Sequence, residues 1–347
     1  MKLELVKTNE EIIECFYSLR TKSDVADLLE IPIEVLNYYL YISSNYTIFT
    51  IPKRDGSPRV IYSPITPIKI LQRKLLYVFN LIYEPDDNSF GFIKNRSIVQ
   101  NAARHQNKKY VLNIDLKDYF PNITFGRILG YLKKNLMLGD EASVIITKLA
   151  CVETEENTFL PPGSPLSPIL SNMISRKLDV EISNFVKKYD CTYSRYADDI
   201  SISTDRIVFP EQVAIRDLYG DIWLNAKFVK VISDNDFNIN YRKVRLRSNK
   251  QRQEVTGLIV NGVRPNVKRE YIRNLRAMIF DWEKNGLENA QSNFEINYWK
   301  PKDSDFKQIP RIENVIDGKL NFLSMVRGKD DLLYQKLKTK YDKLVSI

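Results

Sequence analysis

The sequence predicts an α+β protein, and three observations carry that reading. Two β-like stretches bear acids: Tyr110–Phe120 runs apolar into Asp115, and Tyr193–Ser203 alternates around Asp198-Asp199. Two more β-rich runs between Tyr46 and Pro64 bracket Asp55-Gly56, a hairpin signal. From Lys268 onward the periodicity turns helical, over 268–284, 312–327 and 329–345.

The acidic stretches come first because they carry chemistry. Adjacent Asp198 and Asp199, expected at the turn of a hairpin, repel each other unless a cation neutralises them. Hard carboxylate oxygens beside an aromatic-flanked turn suit Mg²⁺. Taken alone, Asp-Asp is also an ordinary surface turn. If two strands deliver Asp115 and Asp198-Asp199 to one point, the result is a two-metal phosphoryl-transfer site.

Composition bounds the answer. An apolar fraction of 44% over 347 residues marks an ordered globular chain with room for more than one core, and a net charge of +9 points to a polyanionic partner. Three scattered cysteines, Cys15, Cys151 and Cys191, offer neither a disulfide framework nor a zinc pair. With no long apolar run and no leader, a soluble, cytoplasmic protein is expected. A single histidine, His105, excludes zincin, two-histidine zinc-finger and HNH-nuclease chemistry, and no GxSxG elbow is present. Acid–base work must come mainly from Asp, Glu, Lys and Tyr.

In chain order, residues 9–45 read as short helices, with Asn9-Glu10-Glu11 as a capped start. Lys53 and Arg59 flank the first hairpin, and a helix is expected over Pro67–Phe79. Residues 124–150 read as one or two helices, and 205–237 carry apolar residues at helical spacing. Arg245–Glu254 is a basic stretch, and Arg269, Arg273 and Arg276 give a basic face to the helix that begins near Lys268.

Tyr196-Ala197-Asp198-Asp199 with the upstream Asp115 resembles the palm of reverse transcriptases. Other blocks follow in that family's order. Ser89–Ile98 is similar to an xGFxxGRS block with Asn95 for a Gly. Leu160–Asn172 is similar to PQGxxxSPxLSN with Pro162 for the usual Gln. Ile239–Val244 is similar to INxxKT with Val244 for Thr. Asn101-Ala102-Ala103-Arg104-His105 and Val255-Thr256-Gly257 match the NAxxH and VTG signatures of retron enzymes.

The resemblance implies a right-hand polymerase architecture of fingers, palm with an antiparallel sheet, and helical thumb. The segments would be a helical lead-in over 1–45, fingers over 46–109, palm over 110–263 and an RNA-binding thumb over 264–347. It implies RNA-directed DNA synthesis with two Mg²⁺ ions, Mn²⁺ being an alternative. Asp115, Asp198, Asp199 and the backbone carbonyl of Leu116 would be the ligands. Lys53, Arg59, Asp118, Phe120, Gly163 and Lys243 would surround the dNTP, with Phe120 rejecting a 2′-OH and Lys243 protonating pyrophosphate. Arg96, Asn101, His105, Arg247, Arg252, Thr256, Gly257, Arg269 and Arg273 are expected on nucleic acid, with a structural role as the alternative for His105.

The partners so implied are a cognate structured non-coding RNA, its DNA product and a separate effector protein in bacterial anti-phage defence, with no membrane. Priming from an RNA 2′-OH would leave a branched hybrid. A protein-primed or template-independent relative, or an RNA-binding scaffold that restrains an effector, are the alternatives.

Overall fold

The structure, a computed structural model, describes residues 4–41, 45–53, 56–298 and 309–346. Three short helices open it: α1 (Asn9–Ser18), α2 (Lys22–Leu28) and α3 (Ile33–Tyr41). Thr8 and Thr21 cap the first two, each in a reciprocal capping box with the acid three residues on. Strands β1 (Tyr46–Pro52) and β2 (Pro58–Pro64) pair antiparallel, Ile51 opposite Arg59. Asp55 of the expected turn lies outside the described residues. Gly56, at φ +82°, donates its N–H to the Lys53 carbonyl at 3.1 Å.

Helix α4 (Thr66–Ile82) follows, then α5 (Ile98–Ala103), β3 (Tyr110–Lys117), α6 (Phe125–Lys134) and α7 (Asp140–Ala150). A small hairpin, β4 (Val152–Glu153) with β5 (Thr158–Phe159), leads to the long α8 (Ser167–Lys187). Pro168 opens α8 where its missing N–H is no loss. The acidic hairpin is β6 (Thr192–Tyr196) and β7 (Asp199–Thr204).

Over 205–237 the structure departs from the helical expectation. A hairpin, β8 (Ala214–Arg216) and β9 (Ile222–Leu224), precedes a single helix α9 (Ala226–Ser233). The Asp217 carboxylate accepts from the N–H groups of Tyr219 and Asp221 and from the Trp223 indole, and Gly220 takes φ +93°. That local turn chemistry outweighs the apolar spacing.

Then come β10 (Asn238–Ile239), a 3₁₀ turn over Tyr241–Lys243, β11 (Arg245–Ser248), β12 (Glu254–Val255) and β13 (Leu258–Ile259). Helices α10 (Arg269–Asn297), α11 (Ile312–Arg327) and α12 (Leu332–Val345) close the chain. The first of them is interrupted at Gly286, whose φ is +78°. The main sheet runs β10-β3-β7-β6, with β11 also pairing β3.

The chain divides into two compact units. One comprises Met1–Arg96, Asn113–Ile202 and Val208–Arg245; the other comprises Ser97–Leu112, Ser203–Ile207 and Leu246–Ile347. In the first, Phe16 of α1 meets Phe79 of α4 edge-on, with Ile12, Leu71, Leu75 and Val78 fully buried around them. In the second, Leu275, Ile279 and Trp282 of α10 pack with Ile316, Leu320 and Leu323 of α11 and with Val255 and Leu258. Among the described residues no helix is long and apolar enough to cross a membrane.

Candidate active site

The site is built on β3, the β6–β7 turn and the segment after β10, all in the first unit. β10 pairs antiparallel with β3, Ile239 opposite Leu116, and the Asn240 N–H donates to the Asp115 carbonyl at 2.8 Å. On the other edge of β3 the Leu116 N–H donates to the Asp198 carbonyl at 2.9 Å. A strand residue directs its N–H and C=O to the same edge, so the Leu116 carbonyl also faces the acidic turn. Ala197, at φ +56°, makes the reversal that leaves Asp198 and Asp199 at the tip. Asp115, Asp198 and Asp199 are therefore brought together as the motif predicts.

The three acids are not alike. The Asp115 carboxylate is buried and already partnered: Asn240 Nδ2 donates to one oxygen at 3.0 Å and Lys243 Nζ to the other at 2.8 Å. That hydrogen bond raises the Lys243 pKa above its ordinary value. Burial, and then the Asp115 charge, raise Asp198, with Lys243 and Arg59 opposing. Asp199 keeps solvent access, yet the protein packed around it desolvates its charge; with Asp198 and Asp115 adding repulsion, its carboxyl is pushed up to about 7. Three carboxylates thus lie close enough to repel one another, with Lys243 opposing that repulsion.

What rigidifies the turn was not singled out from the sequence. Arg195, fully buried, pairs with Asp179 of α8 through Nε and Nη2, both at 2.7 Å. It also donates to the Ala197 carbonyl at 3.0 Å, the Tyr119 hydroxyl at 2.9 Å and the Asn172 side-chain oxygen at 3.2 Å. Tyr193 gives its hydroxyl proton to Asp179 at 2.6 Å. Gly91 lies so close beneath the turn that a Cβ would stand 2.6 Å from the Ala197 nitrogen, and Asn172 Nδ2 holds the Gly91 carbonyl at 2.8 Å. The Gly91 and Asn172 positions fall in recognisable blocks, but nothing local in them announces these partners. Asn240 is likewise a missed contributor, visible only as the Asn of the block that carries Lys243.

The remaining expected residues of this unit sort by exposure. Lys53 and Arg59 are exposed at the turn end of the β1–β2 ribbon, and Arg59 is felt electrostatically at Asp198. Asp118 is exposed at φ +48°. The Phe120 ring is held between Tyr119 and Phe92, with centroids 5.3 and 6.3 Å away. Gly163, at φ +114°, faces the Tyr62 carbonyl and the Ile61 side chain, which a Cβ would meet at 2.7 and 2.9 Å. The preceding Pro162 gives its carbonyl to the Tyr62 N–H at 2.9 Å, so this loop is anchored on β2. Arg96 differs from expectation. Its guanidinium binds the carbonyls of Asp86 and Ser89 and lies over the Phe90 ring, which makes it a local staple rather than an open phosphate contact.

In the second unit, Asn101 and His105 are fully buried, which leaves them no surface for the expected nucleic-acid contact. His105 Nδ1 lies 2.7 Å from the Ser203 hydroxyl, and burial, then Arg104 and Lys108, lower its pKa to about 3. The structural alternative is the one this environment supports. The VTG block is a two-residue hairpin turn: Thr256 and Gly257, at φ +46° and +83°, link β12 to β13. A β-branched residue is strained there, and Thr256 compensates by donating its hydroxyl to the Ile98 carbonyl at 3.1 Å. Gly257, Arg247, Arg252, Arg269 and Arg273 are exposed.

Among the described residues no ready-made group of three or more His, Cys, Asp or Glu side chains surrounds a metal position. Lys243 and Asn240 occupy Asp115 instead. The donor set still fits Mg²⁺: every group is a hard oxygen, and burial together with mutual repulsion raises Asp198 and Asp199, which a bound cation would oppose.

The family model described as reverse transcriptase (RNA-dependent DNA polymerase) matches residues 51–259. The retron Mx65 reverse transcriptase of Myxococcus xanthus is 32% identical over 281 residues, covering 75% of this chain and 62% of that protein. The retron Mx162 enzyme of the same organism is 32% identical, covering 70% and 53%. The chain thus spans 62% and 53% of the lengths of these two relatives. The retron Ec86 reverse transcriptase of Escherichia coli is 30% identical over 261 residues, covering 74% of this chain and 76% of that protein. Among solved structures, a telomerase from Candida albicans in complex with the TWJ fragment of telomeric RNA aligns with a TM-score of 0.47 and 13% identity, covering 86% of this chain and 63% of that one.

Proposed function

We propose, from the premise that this chain belongs to the reverse transcriptase (RNA-dependent DNA polymerase) family and to its retron type, that it copies part of a cognate structured non-coding RNA into single-stranded DNA. The observation that carries this is the convergence of Asp115 on β3 with Asp198 and Asp199 at the β6–β7 turn, close enough for mutual repulsion. Synthesis starts from a 2′-OH of the RNA and leaves a branched RNA–DNA hybrid, in the service of anti-phage defence with a separate effector protein. The setting is the bacterial cytoplasm.

Asp115, Asp198, Asp199 and the Leu116 carbonyl would hold two Mg²⁺ ions. When bound, such ions lower the pKa of the attacking hydroxyl and neutralise the triphosphate. The chain's own residues do the rest. Lys53 and Arg59 clamp the triphosphate from the β1–β2 ribbon. Phe120, wedged between Tyr119 and Phe92, leaves no room for a ribose 2′-OH and so selects dNTPs. Lys243 holds a proton at Nζ, 2.8 Å from Asp115, and donates it to the departing pyrophosphate. Gly163 lets the backbone approach the nucleotide, and its neighbour Pro162 keeps that loop on β2. Arg247, Arg252, Arg269 and Arg273 neutralise phosphates of the bound strands.

The test is to express the protein with its native flanking locus and isolate the nucleic acid that co-purifies, with Asp198→Asn as the control. Short DNA joined to RNA through a debranchable link, absent in the variant, is the expected result. DNA attached to protein would favour a protein-primed enzyme. RNA without DNA, and full biological effect from Asp198→Asn, would favour a scaffold.

A further inference from the structure

A cavity of about 480 Å³ in the second unit is lined by Lys109, Tyr110, Ile207, Ser248, Asn249 and Lys250. None of these belongs to the contacts described above. Its frame is fixed by backbone bonds. The Asn249 N–H donates to the Lys109 carbonyl at 2.8 Å, and the Gln251 N–H closes a turn onto the Ser248 carbonyl at 2.9 Å. Asn261 clamps that turn, its Nδ2 donating to the carbonyls of Asn249 and Gln251 at 3.2 and 2.8 Å. The Tyr110 hydroxyl donates to the Ile207 carbonyl at 3.2 Å, which holds the ring at the wall.

The lining has three chemistries. Lys109 and Lys250 are exposed, and among the described residues neither has a carboxylate partner, whereas neighbouring Lys108 is paired with Asp205 at 2.5 Å. Two exposed ammonium groups at one cavity can together bind an anion. Tyr110 and Ile207 supply an aromatic face and an aliphatic edge that suit a flat ring. Ser248 and Asn249 supply a hydroxyl and an amide, able to donate or accept at the edge of a base or at a ribose hydroxyl. An anion, a flat ring and a hydrogen-bonding edge together describe one nucleotide. The volume falls within the range of small-molecule pockets and is too small for a base pair with its two backbones.

We propose that this cavity takes a single unpaired nucleotide of the bound RNA, its phosphate between Lys109 and Lys250 and its base against Tyr110. The assignment rests on the polymerase reading above and deepens it: beside a templated track, the protein holds one nucleotide out of any duplex. An unpaired nucleotide is the kind of feature by which a structured RNA is told from a plain duplex.

The test measures binding of a labelled oligouridylate to the full chain by fluorescence anisotropy across a range of salt. Lys109→Ala with Lys250→Ala is expected to weaken binding about tenfold and to flatten the log–log salt dependence by about 0.7, the value for one phosphate on a single strand. Tyr110→Leu is expected to weaken binding about tenfold with the salt slope unchanged, as lost stacking should. Photocrosslinking of 4-thiouridine RNA to the unaltered protein, read by mass spectrometry, should place an adduct on the cavity residues whether or not a variant folds well. Variants that bind like the parent with the same slope, or crosslinks confined to other residues, overturn the proposal. Free uridine monophosphate displacing the oligomer at equal concentration also overturns it, because the site would then be one for free nucleotides. Extension of a pre-annealed primer is measured alongside. RNA bound at this cavity by a protein that never extends the primer would sink the polymerase reading and leave the cavity standing. Normal extension with unchanged RNA binding in the variants would do the reverse.

Discussion

The acidic turn and the buried histidine are both held from beneath, but by opposite means. Under Ala197-Asp198-Asp199 lies a fully buried ion pair, Arg195–Asp179, whose remaining hydrogen-bonding capacity is met by Tyr193, Tyr119, Asn172 and the Ala197 carbonyl. Around His105 and the Thr256-Gly257 turn the contacts named above join neutral groups: the imidazole lies beside the Ser203 hydroxyl, and the Thr256 hydroxyl donates to the Ile98 carbonyl. A turn that must hold like charges together needs a support that does not yield, and a directional charged network supplies it where dispersion alone would not. His105 escapes burial of a charge, and the repulsion of Arg104 and Lys108, by staying unprotonated.

Four substitutions break or sharpen this contrast. Asp179→Ala strands a buried guanidinium and should cost about 3–5 kcal/mol in urea unfolding, with polymerase activity falling alongside; a loss below about 1 kcal/mol would mean the network is dispensable. Gly91→Ala forces a methyl against the Ala197 nitrogen and should cost about 1–3 kcal/mol. Extension rates should drop further than that loss of stability explains, and unchanged kinetics would show that the turn tolerates displacement.

His105 tests the neutral region by pH. Its folded pKa of about 3 lies below the ordinary 6.5, so between those values the unfolded chain binds the proton that the folded chain excludes. The stability it contributes is complete above pH 6.5 and is lost as pH falls toward 3. Relative to His105→Gln, the parent should lose about 1.4 kcal/mol more per pH unit in that window, and parallel stability–pH curves would contradict this. Thr256→Val keeps the shape and the strain but removes the bond to Ile98, at about 1 kcal/mol by the same unfolding assay; a neutral result would assign the turn's stability to Gly257 alone.

Legibility in the sequence follows the same divide. The α+β class, the reverse transcriptase family and the meeting of the three acids were readable because each motif is contiguous and its backbone demands are local: an acid ending an apolar run, a Gly at positive φ in Gly163, a two-residue turn in Thr256-Gly257. The supports were not readable. Arg195 and Asp179 are separated by the end of α8, a turn and the start of β6, Asn240 reaches Asp115 from the segment after β10, and Gly91 meets Ala197 across the fold; no local pattern encodes such pairings. The β8–β9 hairpin was missed because Asp217 organises its turn with a side chain, while its apolar residues happen to fall at helical spacing. Burial also decided what composition could not, since Asn101 and His105 look like polar contacts in sequence and are interior in the fold.

Gly91 has a consequence for anyone wishing to rebuild the protein. With 2.6 Å between its would-be Cβ and the Ala197 nitrogen, the Phe90-Gly91-Phe92 segment and the acidic hairpin are one indivisible part. A chimaera that imports either piece from a distant relative must import both, and a library that randomises one while freezing the other will return mostly dead clones.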